Sequence, residues 1–196
     1  MANWMTHIAV AVGAGACAVA SVTVAARAKT TQPVLQAQQS PPAEAPVEPP
    51  GVRAKLIGQR GATRTYQLVL APGTEAMGAI AEFVVANHIR AAHFQGLGAC
   101  TDAVLAYYDP GSQTYQKTAY RQQMEIVSIL GDAAPTVGDA AGLHVHMGVA
   151  FADGTMHGGH LFETHVSPTM ELELTASPNP IHREYDETFK AWLLKP

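Results

Sequence analysis

Two histidines one residue apart, in Leu143-His144-Val145-His146, are followed by a third in Gly158-Gly159-His160. On an extended strand the side chains at i and i+2 leave the same face, so the first two imidazoles stand about 6–7 Å apart. A third imidazole from a neighbouring strand completes a set of three nitrogen ligands. Three histidines with a fourth position open is the arrangement of a reactive zinc site, because structural zinc sites fill all four positions with protein atoms. Neutral imidazoles leave the ion its full double charge, which lowers the pKa of a bound water to about 7 and suits hydrolytic or lyase chemistry. Such chemistry needs a base. Glu125 and Glu163 are the acidic candidates. Neither is given a catalytic role, since Glu125 also reads as a solvated strand charge or a histidine-orienting group, and Glu163 as a surface charge.

The elements that must position the three rings are two strands and a turn. Asp153-Gly154 reads as a two-residue hairpin turn. Strict pairing about that turn sets His160 opposite Met147, on the wrong face. One extra residue at Gly158-Gly159 moves His160 opposite Gly148 and onto the histidine face, and glycine is the residue that tolerates such a bulge. The alternate positions Val145, Met147, Val149 and Phe151 form an apolar stripe suited to a core. His157 and His165 fall on the opposite parity from His160. His93 reads as a hydrogen-bonded core histidine or a neighbour of the ligand pocket, and His88 as the end of a helix. Tyr107 and Tyr108 point to opposite faces, so at most one lines the site.

Around this unit the pattern is regular. Thr65 to Leu70 reads as a strand, and Thr74 as the cap of a helix running to about Asn87 with Met77, Ile80, Ala81, Val84 and Val85 apolar. Further strands are read at Ile89–Ala99, Val104–Tyr108, Tyr115–Tyr120, Met124–Leu130 and Thr169–Ala176, beside the two histidine strands. The glycines of Gly96-Leu97-Gly98 suggest close backbone approach. One helix and about seven strands with short turns give an α+β domain dominated by antiparallel sheet.

Residues 53–196 form that domain; residues 29–52 are a proline-rich linker that cannot build a core. Residues 1–28 read as a signal peptide or membrane anchor, with the uncharged run Ile8 to Val24 and a small-x-small pattern at Ala26-Arg27-Ala28. The protein is accordingly expected to be exported or membrane-tethered. The alternative is a cytoplasmic domain, since Arg27 and Lys29 follow the apolar run, or a start assigned too early. Cys100 is the only cysteine outside this segment and reads as a small buried core residue. Lys and Arg number 12 against 16 Asp and Glu, a formal net charge of −4. No basic run is present, which weighs against nucleic acid as a partner.

Several separated motifs occur in one order: Gly73-Thr74-Glu75, Ile89 through Ala99, Tyr107-Tyr108-Asp109, Met124 through Gly131, His144-Val145-His146 and Gly158-Gly159-His160-Leu161. Together they resemble the plants-and-prokaryotes conserved (PPC) domain over Tyr66 to Ala176. The tail Pro180 to Asp186 is similar to the C-terminal end of that family. The resemblance implies an α+β fold on an antiparallel sheet, a homotrimer, and a metal, zinc in expectation, on His144, His146 and His160. Some members carry basic hooks and bind DNA; this chain has no Arg-Gly-Arg-Pro hook. The expected function is a metal-binding domain acting on or holding a small molecule, with turnover undecided. The alternatives are a non-catalytic trimeric binding module and a DNA-binding protein by family analogy.

Overall fold

A computed structural model describes residues 44–195 of the chain. The signal or anchor segment and most of the linker lie outside the described residues. The described part of the linker ends on the domain. The Val47 N–H donates to Asn87 Oδ1, and Asn87 Nδ2 donates back to the Val47 carbonyl, each at 2.9 Å.

The elements in chain order are β1 (Val52–Arg60), β2 (Thr63–Leu70), α1 (Ala76–Ala86), β3 (Ala92–Asp109), β4 (Thr114–Ala133), β5 (Leu143–Ala150), β6 (Met156–Ala176), β7 (His182–Asp186) and β8 (Ala191–Lys195). All pairings are antiparallel, and the main sheet runs β1-β2-β6-β3-β4-β5. β5 also pairs with the start of β6, which closes β3, β4, β5 and β6 into a ring. The fold is mainly antiparallel sheet with a single short helix.

Several strands expected separately are single long ones. Ile89–Ala99 and Val104–Tyr108 merge into β3, and Tyr115–Tyr120 and Met124–Leu130 into β4. Their register shifts explain how strands this long stay paired. β3 shifts between Gly96 and Gly98 and again between Cys100 and Asp102. At Gly96 a Cβ would lie 2.1 Å from the Glu171 carbonyl oxygen, so the backbone approach expected there is real and excludes other residues. On β4 the alternation of buried Met124 and Ile126 skips across Val127-Ser128 and resumes at Ile129 and Gly131. The bulge at that point keeps the apolar side chains on one face.

The helix is capped one residue later than expected. Glu75, not Thr74, is the N-cap, and its carboxylate accepts from the Met77 and Gly78 N–H groups. Thr74 instead reaches the Gly51 carbonyl. The buried stripe is Ala76, Ala79, Ile80, Phe83 and Val84, with Val85 turned outward. Phe83 meets Tyr66 edge-on at 5.4 Å, and both join Leu68, Leu70, Phe94, Leu172 and Leu174 in one core. Cys100 is buried in the same core, and burial raises its thiol pKa.

Candidate metal centre

β5 and β6 bring the three histidines together, by a register different from the expected one. The Phe151 N–H donates to the Thr155 carbonyl and the Gly154 N–H to the Phe151 carbonyl, each at 2.9 Å. The loop is therefore Ala152-Asp153-Gly154, with Gly154 at φ 82, rather than a two-residue turn. The extra loop residue does the work assigned to a bulge. Pairing runs unbroken from Ala150 opposite Met156 to His146 opposite His160, with Gly158 and Gly159 in regular register. The paired glycines have a different role: a Cβ on Gly159 would lie 2.5 Å from the Ala106 carbonyl oxygen.

The ring centroids are 5.2 Å apart for His144 and His146, 5.2 Å for His144 and His160, and 5.5 Å for His146 and His160. One nitrogen from each ring falls within 4.8 Å of the other two. His160 Nδ1 is buried and has no hydrogen-bond partner. A buried imidazole nitrogen left without a partner is costly unless something else satisfies it. Burial, then the positive charges of His144, His146, Arg183 and Lys117, pushes the His160 pKa down to about 4. Burial and Arg183 lower His144 as well. Both rings are thus neutral at pH 7, with lone pairs free to ligate. Three nitrogen donors with no carboxylate or thiolate among them fit zinc or a similar divalent ion.

The surroundings were not visible in the sequence. Asp132 lies beyond the strand read at Met124–Leu130; the structure places it inside β4, directly opposite His144. Its carboxylate pairs with Arg183, the one buried charged side chain among the described residues. Arg183 Nε and one terminal nitrogen also donate to the Gly142 and Trp192 carbonyls at 3.3 Å, fastening the β7–β8 ribbon beside β5. At its turn the ribbon is held again, where the Tyr108 hydroxyl donates to the Phe189 carbonyl at 2.6 Å. On the other side of His160 stand Tyr115 at 4.7 Å and Phe162 at 5.0 Å between ring centroids. The Lys117 ammonium lies 3.6 Å from the Phe162 centroid.

The remaining candidates fall outside the cluster. Glu125 is opposite Ala150, four residues along β5 from His146, or about 13 Å at strand spacing. Glu163 is exposed opposite Val104. His157 faces the other way and meets the Tyr120 hydroxyl at 3.1 Å. His165 is held by Asp102 at 3.0 Å, which raises its pKa. His93 is exposed opposite Asp132 and Thr175, not buried in the core, because β3 shows its odd residues to solvent there. His88, at φ 53, lies just past the helix, whose C-cap is Asn87.

Residues 58–178 match the Plants and Prokaryotes Conserved (PCC) domain. The chain belongs to this family. Among solved structures, a candidate DNA-binding protein from Bacteroides thetaiotaomicron superposes with TM-score 0.67 at 22% identity, covering 74% of this chain and 97% of its own. A PPC protein from Pyrococcus horikoshii gives TM-score 0.62 at 23% identity, over 69% and 96% of the two chains. A metal-containing protein from Archaeoglobus fulgidus gives TM-score 0.63 at 28% identity, over 74% and 97%. Comparison with curated proteins finds no match. The PPC domain here thus has solved relatives that share its fold.

Proposed function

We propose that this PPC domain binds one divalent metal, zinc by preference, through His144, His146 and His160, and that the centre holds or acts on a small molecule. The observation that carries this reading is the buried, unpartnered His160 Nδ1 in a group of three converging imidazoles. The metal-containing relative from Archaeoglobus fulgidus supports it independently. When bound, the ion would supply Lewis-acid polarisation of a ligand oxygen. This chain's own part is to bring three imidazoles to one point and, by burial, to keep His144 and His160 unprotonated.

The same proposal includes a homotrimer, supported by the family resemblance and by exposed Val69, Leu97 and Leu130 on the outer sheet face, Leu130 directly opposite His146. It includes export or tethering through the apolar run Ile8 to Val24, which fractionation of the full-length protein tests. A DNA-binding reading rests on the description of neighbours. The net charge of −4 and the absence of a basic run work against it.

Zinc titration of chelator-treated protein tests the metal reading. A ligand that binds only the folded state, at 1,000 times its Kd, stabilises by about 4.1 kcal/mol. The wild type should melt several degrees higher with zinc. The variant carrying His144→Ala, His146→Ala and His160→Ala should not respond, and an equal response in both would remove the assignment.

A further inference from the structure

We propose that the small molecule held at the histidine centre is a carboxylate with an apolar body, its charge facing the metal and Lys117 and its body lying against Phe162 and Tyr115. The proposal rests on the metal reading above and adds the chemical class of the ligand.

Lys117 on β4, Ala106 on β3, His160 on β6 and His146 on β5 are successive cross-strand partners, so all four lie in one row. Side chains in such a row share a face. Between the ammonium and the imidazoles the only side chain of the row is a methyl group. That space is bordered by the rings of Phe162 and Tyr115, 5.4 Å apart and each about 5 Å from His160. Tyr115 is 37% exposed, so a wall of aromatic carbon meets solvent beside the centre.

The charge balance of this face is positive. The ligand set holds no carboxylate or thiolate, so it leaves a divalent ion uncompensated. Lys117 has no carboxylate within ion-pair distance among the described residues, and its ammonium rests on a ring. The carboxylate nearest in register, Asp132, is already paired with Arg183. The ion and the Lys117 ammonium, in the same cross-strand row as His160, thus set a positive field on this face. A neutral ligand leaves this field unanswered; an anion answers it, and the aromatic wall favours one with a carbon body over a fully hydrated ion.

Cobalt(II) loaded onto the full chain reports ligands through its visible spectrum, and benzoate, acetate, benzamide and inorganic phosphate serve as probes. Benzoate should shift the cobalt bands and bind several-fold more tightly than acetate or phosphate, and benzamide should cause no shift. Lys117→Gln, an exposed position, should retain cobalt and weaken benzoate by about fivefold or more. Phe162→Leu should erase the preference of benzoate over acetate. Benzamide binding as tightly as benzoate, phosphate binding more tightly, or Lys117→Gln leaving benzoate unchanged would overturn the ligand class while the metal reading stands. A wild type that takes up no cobalt would overturn the metal reading itself, and this proposal with it.

Discussion

At the scale of single residues, the chemistry of the centre comes from burial acting on imidazole. His160 is held to a pKa of about 4 against an ordinary value of 6.5, and His144 is lowered in the same direction. An unfolded chain takes up a proton on His160 between those two values, and the folded chain does not. The metal-free protein should therefore lose stability as pH falls from about 6.5 to about 4, and the part of that loss that comes from His160 should level off below that. Thermal melts of chelator-treated protein across this window check the sign, and His160→Asn should flatten the slope. With metal bound the acid loss should steepen, because protons compete for the same lone pairs. The histidine spacing was legible at this scale, since i and i+2 on a strand fixes a face whatever the register. The neighbours from other strands were not. Tyr115 and Lys117 lie on β4 and reach His160 across strand pairings that no local pattern announces, whereas Phe162, two residues along β6, shares the His160 face by the same rule.

At the scale of elements, the β7–β8 ribbon and the histidine strand are joined through one side chain. Arg183 is 5% exposed and binds Asp132, 28% exposed, opposite His144. Removing one partner of a buried pair strands the other charge, at a cost of about 3–5 kcal/mol when both are fully buried. Partial exposure of Asp132 lowers the expectation for Arg183→Met to about 2–3 kcal/mol. Denaturant unfolding measures it, and adding Asp132→Asn should recover a good part of the loss. An unchanged midpoint in Arg183→Met would show that the ribbon is not fastened in this way. The sequence revealed the helix and the strands between Thr65 and Ala176 better than their joints, and left β1, β7 and β8 unread. Hydrophobic alternation marks Val145, Met147 and Val149 plainly. It breaks where the pairing of β3 with β4 shifts register, between Cys100 and Asp102 opposite Met124 and Arg121, and both long strands read as two each for that reason. The same blindness to register placed a bulge at Gly158-Gly159, when the third residue of the Ala152-Asp153-Gly154 loop had already brought His160 into phase.

At the scale of the whole molecule, the closed ring of β3, β4, β5 and β6 turns its apolar side chains inward and sets the histidines on its outer face. That face also carries Leu97 and Leu130, exposed by 58% and 47%. A subunit contact there would cover the centre's surroundings, so metal and assembly are expected to act together. Sedimentation of the purified protein should give three chains per particle, and a monomer would separate the metal reading from the trimer. Fold class was legible from the motif order alone, since the matched residues 58–178 include both histidine strands. The C-terminal ribbon lies beyond that span, and its role emerged only from the contacts of Arg183. The central claim is tested most directly by elemental analysis of the purified protein beside the variant with all three histidines changed to alanine. The wild type should carry one divalent metal per chain and the variant, folded to the same far-ultraviolet spectrum, none. Equal metal content in the two, or none in a wild type purified without chelator and offered zinc, would contradict the account.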